Sequence, residues 1–305
     1  MRKVFLAMLV LTSQLSFAKG GIEVVSDNPL QLPASEAAYS PVISPDGEWL
    51  LVTSNAMKGL QKYDLATGQL ETITTDNGAG YNAKISNDGS TIVYRTSEFK
   101  NRLRYFSVKS VDVATGKTET VVKPTRNVSA FGAVNGTALA VDGNKMKTKR
   151  ISGKKVEYPA IAGIVNGNLV VTRDGKSNTI NPVGKSRYLW QSVSPDGKKV
   201  LFAVPENGMV AYVSNLDGSN PVRLGRLSAP EWMGNDWVVG MVDKDNGEVV
   251  TESVIVAVRA DGSDYTALTD GSQICMYPSA SMDATKIVYN TAEGKIHLMK
   301  VKTTK

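Results

Sequence analysis

One short phrase recurs along this chain and constrains its fold more than any other feature. Ser44-Pro45-Asp46-Gly47 returns as Ser86-Asn87-Asp88-Gly89, as Ser194-Pro195-Asp196-Gly197, and in altered form as Ser281-Met282-Asp283-Ala284. Four residues after each aspartate stands an apolar residue: Leu50, Ile92, Val200 and Ile287. Proline presets the first turn angle, aspartate bonds back to the backbone, and glycine accepts the left-handed position, so each phrase reads as a tight turn feeding a buried strand. A turn-plus-strand unit repeating at about 40 residues marks a propeller or solenoid array.

Within a unit the pattern supplies four strands. In the first, Tyr39 to Ser44 enters, Trp49 to Thr53 returns, Gly59 to Leu65 follows, and Ala66-Thr67-Gly68 turns the chain into Gln69 to Thr74. Asp112-Val113-Ala114-Thr115-Gly116 repeats Asp64-Leu65-Ala66-Thr67-Gly68, and later units use Leu216-Asp217-Gly218 and Ala260-Asp261-Gly262 at the same place. Four antiparallel strands in chain order make one propeller blade. Between residues 125 and 187 the phrase is lost, but Asn135-Gly136 and Asn166-Gly167 are hairpin signals, which predicts two compact blades there. First turns then fall at Gly47, Gly89, Gly136, Gly167, Gly197, Gly234-Asn235 and Ala284. The expectation is an all-β, single propeller of seven four-stranded antiparallel blades, with six as the alternative if residues 125–187 form one blade.

The last unit has only three strands: Cys275 to Ser281, Thr285 to Asn290 and Lys295 to Val301. Gly21-Ile22-Glu23-Val24-Val25-Ser26 resembles the fourth strand Gly68-Gln69-Leu70-Glu71-Thr72-Ile73. The N-terminal strand is therefore expected to complete the last blade and close the ring, removing an open edge.

Ahead of that strand, Arg2 and Lys3 precede an apolar run from Val4 to Leu15, and Ser16-Phe17-Ala18 offers small residues at the positions a signal peptidase reads. Residues 1–18 are expected to be a signal peptide cleaved after Ala18, and residues 19–305 the propeller domain of a periplasmic protein without stable membrane insertion. With a single cysteine, Cys275, no internal disulfide can form. Of the formal +6 charge, Arg2 and Lys3 belong to the leader, which leaves +4. Such a balance speaks for solubility rather than nucleic-acid binding. The densest basic run, Lys145, Lys147, Lys149, Arg150, Lys154 and Lys155, reads as a solvated edge strand.

The repeat resembles that of TolB-like proteins, which carries a serine-proline-aspartate-glycine turn, an apolar strand, and a second aspartate-glycine turn before an outer strand. The resemblance implies a propeller acting as a binding module in the bacterial envelope. It covers the propeller only; TolB's N-terminal α/β domain is expected to be missing ahead of Tyr39. Related propellers cap prolyl oligopeptidase-like peptidases, whose C-terminal hydrolase domain is not expected here after Val301.

No catalytic constellation emerges. A serine hydrolase needs a base, and the one histidine, His297, lies in the final strand as a structural or surface residue. Cys275 reads as a buried strand cysteine. Asp243-Lys244-Asp245-Asn246-Gly247-Glu248 lacks the distal glutamate of a calcium loop and reads as a polar hairpin. Asp46, Asp88 and Asp196 are accounted for as turn residues. The expected function is that of a non-catalytic exported module binding an envelope protein or peptide, as a monomer without cofactor or metal. The alternative is a glycan-binding or carbohydrate-active propeller using a channel carboxylate. Binding is expected where first strands enter, at Tyr39, Tyr81, Trp190 and Tyr277, with Arg95 and Glu231 as polar neighbours and Glu98, Lys100 and Arg102 nearby.

Overall fold

The computed structural model describes residues 21–32, 38–143, 145–153 and 159–304. The expected signal peptide, residues 1–18, lies outside them, as do Lys154 and Lys155. Seven antiparallel sheets follow one another in chain order. Blade 1 holds β2 (Tyr39–Ile43), β3 (Trp49–Thr53), β4 (Leu60–Asp64) and β5 (Leu70–Thr74). Blade 2 holds β6 (Lys84–Ile85), β7 (Thr91–Lys100), β8 (Leu103–Asp112) and β9 (Thr118–Thr125). Blade 3 is β10 (Val128–Val134), β11 (Thr137–Asp142) and β12 (Lys145–Arg150); blade 4 is β13 (Ala160–Val165), β14 (Asn168–Arg173) and β15 (Lys176–Thr179). Blade 5 comprises β16 (Leu189–Val193), β17 (Lys199–Pro205), β18 (Met209–Asn215) and β19 (Val222–Arg226). Blade 6 comprises β20 (Ser228–Met233), β21 (Trp237–Asp245), β22 (Val250–Arg259) and β23 (Thr266–Ala267). Blade 7 takes β24 (Cys275–Ala280), β25 (Lys286–Thr291) and β26 (Ile296–Thr303), and its outer strand is β1 (Ile22–Pro29).

The seven-blade count and the closure by the N-terminal strand are as the repeat predicts. Blades 3 and 4 differ from the four-strand expectation: among the described residues each has three strands. Their outer strands are polar, with β12 built as Lys145-Met146-Lys147-Thr148-Lys149-Arg150 and β15 exposed throughout. Lys147 pairs with Asp142 and Lys149 with Glu119 of blade 2, both at 2.7 Å. Lysines on an outer strand discourage further pairing, which is the part the basic run was expected to play.

The serine-aspartate turns hold themselves together. Ser44, Ser86, Ser194 and Ser281 are buried. Each donates its hydroxyl hydrogen to the aspartate two residues on. Each hydroxyl oxygen also accepts the backbone N–H five residues on, at 3.0–3.1 Å. The aspartate in turn caps the backbone N–H two residues beyond it. A polar side chain can thus sit fully buried with its bonding capacity met. In blades 3 and 4 the asparagine-glycine pairs do the work instead: Asn135 and Gly136 have φ of +42° and +69°, Asn166 and Gly167 +51° and +79°. Left-handed angles at both central residues define the two-residue hairpin turn whose twist matches the flanking strands.

Burial is greatest on the second strands, which lie sandwiched between neighbouring blades. Leu50, Ile92, Leu139, Leu169, Leu201, Val238 and Ile287 are all within 1% of complete burial. The clusters run from blade to blade: Leu51, Ile92, Tyr94 and Val111 join blades 1 and 2, and Ile22 of β1 packs among Met299, Val301 and Ile287 in the core shared with blade 6.

Candidate functional site

The inner strands carry one further device. β2, β16, β20 and β24 each slip register between their first and fourth or second and fifth residues, at Tyr39/Val42, Leu189/Ser192, Ser228/Glu231 and Met276/Ser279. In each slip one residue adopts a left-handed backbone: Ser40 (+46°), Trp190 (+49°), Ala229 (+46°) and Tyr277 (+53°). Asn82 (+60°) occupies the same place two residues before β6. All five four-stranded blades therefore place a left-handed residue at the rim where the chain enters the channel, and in four of them it lies within a bulge. Bulges re-aim side chains and are common beside binding sites. A bulky residue with positive φ costs about 1–3 kcal/mol, so Trp190 and Tyr277 are held there by the surrounding blades. Both stay 39% exposed at the mouth.

Below the bulges, the pairing aligns one residue of every inner strand. Val42, Lys84, Gly132, Gly163, Ser192, Glu231 and Ser279 stand opposite Leu51, Val93, Leu139, Val170, Leu201, Val239 and Val288, the third residue of each second strand. Two of these residues meet. Lys84 of blade 2 donates to Glu231 Oε1 of blade 6 at 3.0 Å, each side chain part-buried. Those blades stand three places apart in a ring of seven, so the pair spans the central channel as a crossbar. Gly163 is small for a local reason: a Cβ there would lie 2.8 Å from that of Ala130 in the adjoining inner strand.

The rim is unequal in height. The β7–β8 and β21–β22 hairpins are the longest and project from the same face as the bulges. Their charges are opposed: Arg95, Lys100, Arg102 and Arg104 against Glu98 on blade 2, and Asp243, Asp245, Glu248 and Glu252 against Lys244 on blade 6. The crossbar repeats the polarity, lysine from blade 2 and glutamate from blade 6.

Of the sequence-predicted residues, Tyr81 and Arg95 are brought together, with the guanidinium 5.0 Å from the ring centre. Burial and the neighbouring Arg104 hold the Arg95 pKa below its ordinary value. Tyr81 is largely exposed, and Tyr39, the residue before the bulge at Ser40, is half-buried. Glu231 lies in the channel below the rim, bound to Lys84. Trp190 and Tyr277 share the bulge position, one residue later in register than Tyr39 and Tyr81. Sequence reasoning missed Lys84, Phe99, Arg104 and Phe106. Lys84 carried a faint signal, a charged residue inside an inner strand.

The remaining chemistry-bearing groups have structural partners. His297 is 8% exposed and its Nδ1 lies 3.1 Å from Asp27 Oδ1. Cys275 is buried, and burial pushes its thiol pKa up. Asp243 to Glu248 forms the tip of the β21–β22 hairpin, where Asp245 and Asn246 side chains accept backbone N–H groups of the turn. A cavity of about 150 Å³ between blades 3 and 4 is lined by Ser129, Gly163, Thr172, Ser177 and Thr179 among others, apart from the aromatic rim.

No protein-family model and no curated protein sequence matches this chain. Solved structures do. TolB from Acinetobacter baumannii superposes with a TM-score of 0.58 at 16% identity over 81% of this chain and 58% of that protein, so this chain spans well under two thirds of that TolB's length. A protein assigned as TolB from Agrobacterium tumefaciens gives 0.54 at 18% identity, over 88% of this chain and 91% of that one. Oligogalacturonate lyase from Vibrio parahaemolyticus gives 0.52 at 14%, over 88% and 79%. At such identities the likeness is one of architecture: the chain folds as a propeller of seven blades, and its overall fold resembles that of the TolB structures.

Proposed function

We propose that this chain is an exported, non-catalytic propeller of the bacterial envelope that binds a protein or peptide across the mouth of its channel. One observation carries this reading: exposed aromatic side chains, Tyr81, Trp190 and Tyr277, ring the mouth, two of them on strained left-handed backbone that only a rigid scaffold sustains. Aromatic residues with a large apolar face and a polar tip dominate protein-binding surfaces. The likeness to TolB propellers is consistent with it. The leader sequence supports a periplasmic location. The engagement of the single histidine with Asp27 and Tyr289 supports a non-enzymatic role.

Immobilised protein should capture a partner from envelope extract. Trp190→Ala and Tyr81→Ala should each weaken that capture while leaving the melting temperature unchanged, and unaltered capture by both would move the site off the mouth. The carbohydrate-active alternative is tested by assaying cleavage of polygalacturonate and other glycans. Turnover abolished by Glu231→Gln would overturn the binding reading.

A further inference from the structure

The β7–β8 hairpin has two sides of different chemistry. The pairs Arg95 with Val108, Ser97 with Phe106 and Phe99 with Arg104 place these residues on one side; Thr96 with Ser107, Glu98 with Tyr105 and Lys100 with Leu103 fall on the other. Lower down, the first side is covered: Val93 and Val108 pack with Ala138 and Ala140 of blade 3. Higher up it is not. β7 and β8 have 10 residues each, β11 and β12 of blade 3 only 6. Four further pairs at about 3.3 Å per residue give an overhang of about 13 Å. The side of the hairpin that looks over blade 3 is thus left open, and Phe99 is 72% exposed.

Two guanidinium groups lie on this open side. Arg95 stands 4.2 Å from the Phe106 ring centre and 5.0 Å from that of Tyr81. Arg104 stands 5.3 Å from Phe106 and 5.8 Å from Phe99, and donates to Ser97 Oγ at 3.3 Å. Neither makes an ion pair with a carboxylate among the described residues, and Glu98 belongs to the opposite side. Rings fix the faces of the guanidinium planes and leave N–H edges for an incoming acceptor. Two like charges sharing one phenyl ring are relieved by an anion.

We infer that the Arg95–Arg104 face is a receptor for a carboxylate group of a bound peptide segment in which acidic and aromatic residues alternate. This rests on the mouth being the binding surface and adds the ligand's chemistry and direction. The acidic β21–β22 hairpin repels negative charge on the far side of the rim, where Lys244 is already bound to Glu252 at 2.6 Å. The acidic part of the segment therefore lies over blade 2. Exposed apolar side chains at the hairpin tips, Phe99, Leu103 and Val249, suit peptide side chains better than sugar hydroxyls.

The test uses a fluorescein-labelled heptapeptide of alternating phenylalanine and aspartate, its phenylalanine–asparagine counterpart, and polygalacturonate, read by fluorescence anisotropy against the whole chain. The aspartate peptide should bind at least tenfold tighter than the asparagine one, with a preference that shrinks as salt is raised. Arg95→Met and the more exposed Arg104→Met should each abolish the preference, the second without disturbing the hairpin's packing. Equal affinity for both peptides, or no binding of either, overturns the inference. If both bind equally but Trp190→Ala and Tyr277→Ala weaken both, the mouth reading stands and the carboxylate receptor falls. If the aspartate preference survives those two substitutions at full affinity, the arginine face stands and the wider mouth reading falls. Polygalacturonate that competes through Arg95 while the peptide fails overturns the assignment to a peptide.

Discussion

Tyr289 donates its hydroxyl hydrogen to the carboxylate of Asp27, 262 residues away in sequence. The bond reaches from β25 past β26 to β1, so it ties the first described strand to the middle of the last blade. His297 stacks on the Tyr289 ring at 5.0 Å and places Nδ1 within 3.2 Å of the same hydroxyl. Burial first, then the negative charge of Asp27, pushes the Tyr289 pKa far above its ordinary 10.0, so the phenol stays a donor. Replacing Tyr289 with phenylalanine removes the donor and leaves a part-buried carboxylate short of a partner. The expected cost is about 1–2 kcal/mol in denaturant unfolding, with no change in far-ultraviolet circular dichroism.

Ring closure makes a larger prediction. β1 pairs with β26 from Ile22 opposite Thr303 to Pro29 opposite His297, with one bulge after Val24. Deleting residues 22–29 exposes the unpaired edge of β26 and the apolar residues Met299 and Val301 beneath. Aggregation and a sharply lower melting temperature are expected. The milder Ile22→Ala empties a buried site and should cost about 2–5 kcal/mol. A deletion variant that melts with the intact protein would show that the ring does not depend on this strand.

The turn aspartates predict acid sensitivity. For Asp88, Asp196 and Asp283 burial alone would raise the pKa, but hydrogen bonds from Ser86, Ser194 and Ser281 and from neighbouring backbone groups outweigh it, and all three lie below the ordinary 3.8. A carboxyl with a depressed folded pKa stabilises the fold fully above the unfolded value and loses that contribution as pH falls through the folded one. Stability from these turns should therefore hold from pH 7 to about 5 and fall below about 4. Asp283→Asn should be less stable at pH 7 and show a shallower decline below pH 4, measured by urea unfolding across the range.

The Lys84–Glu231 crossbar predicts a weak but measurable coupling. Both side chains keep some solvent contact, so a double-mutant cycle with Lys84→Met and Glu231→Gln should return about 0.5–1 kcal/mol, reduced at high salt. Strict additivity of the two substitutions would show that the pair carries no energy.

Much of the architecture is legible in short stretches of chain. Ser44, Ser86, Ser194 and Ser281 each bond only to residues two to five positions away, so four residues encode a turn wherever they occur. Asn135-Gly136 and Asn166-Gly167 encode theirs through backbone angles alone. The short outer parts of blades 3 and 4 were less legible, because the alternation of β12 and β15 does not say whether a further strand will pair with them.

By itself the sequence determined the local units: which residues turn, which strands bury, and that a strand near the N-terminus matches the missing one at the end; it favoured seven blades over six, and the structure decided that number. Only the tertiary structure decided which residues meet. Lys84 finds Glu231 at a separation of 147 residues because the closed ring of blades brings their inner strands to face each other across one channel. Arg95 and Arg104 become an open face because the blade beside them is short. Hydrogen bonds within a turn are fixed by a few torsion angles, whereas contacts across a ring depend on the summed geometry of every blade between them.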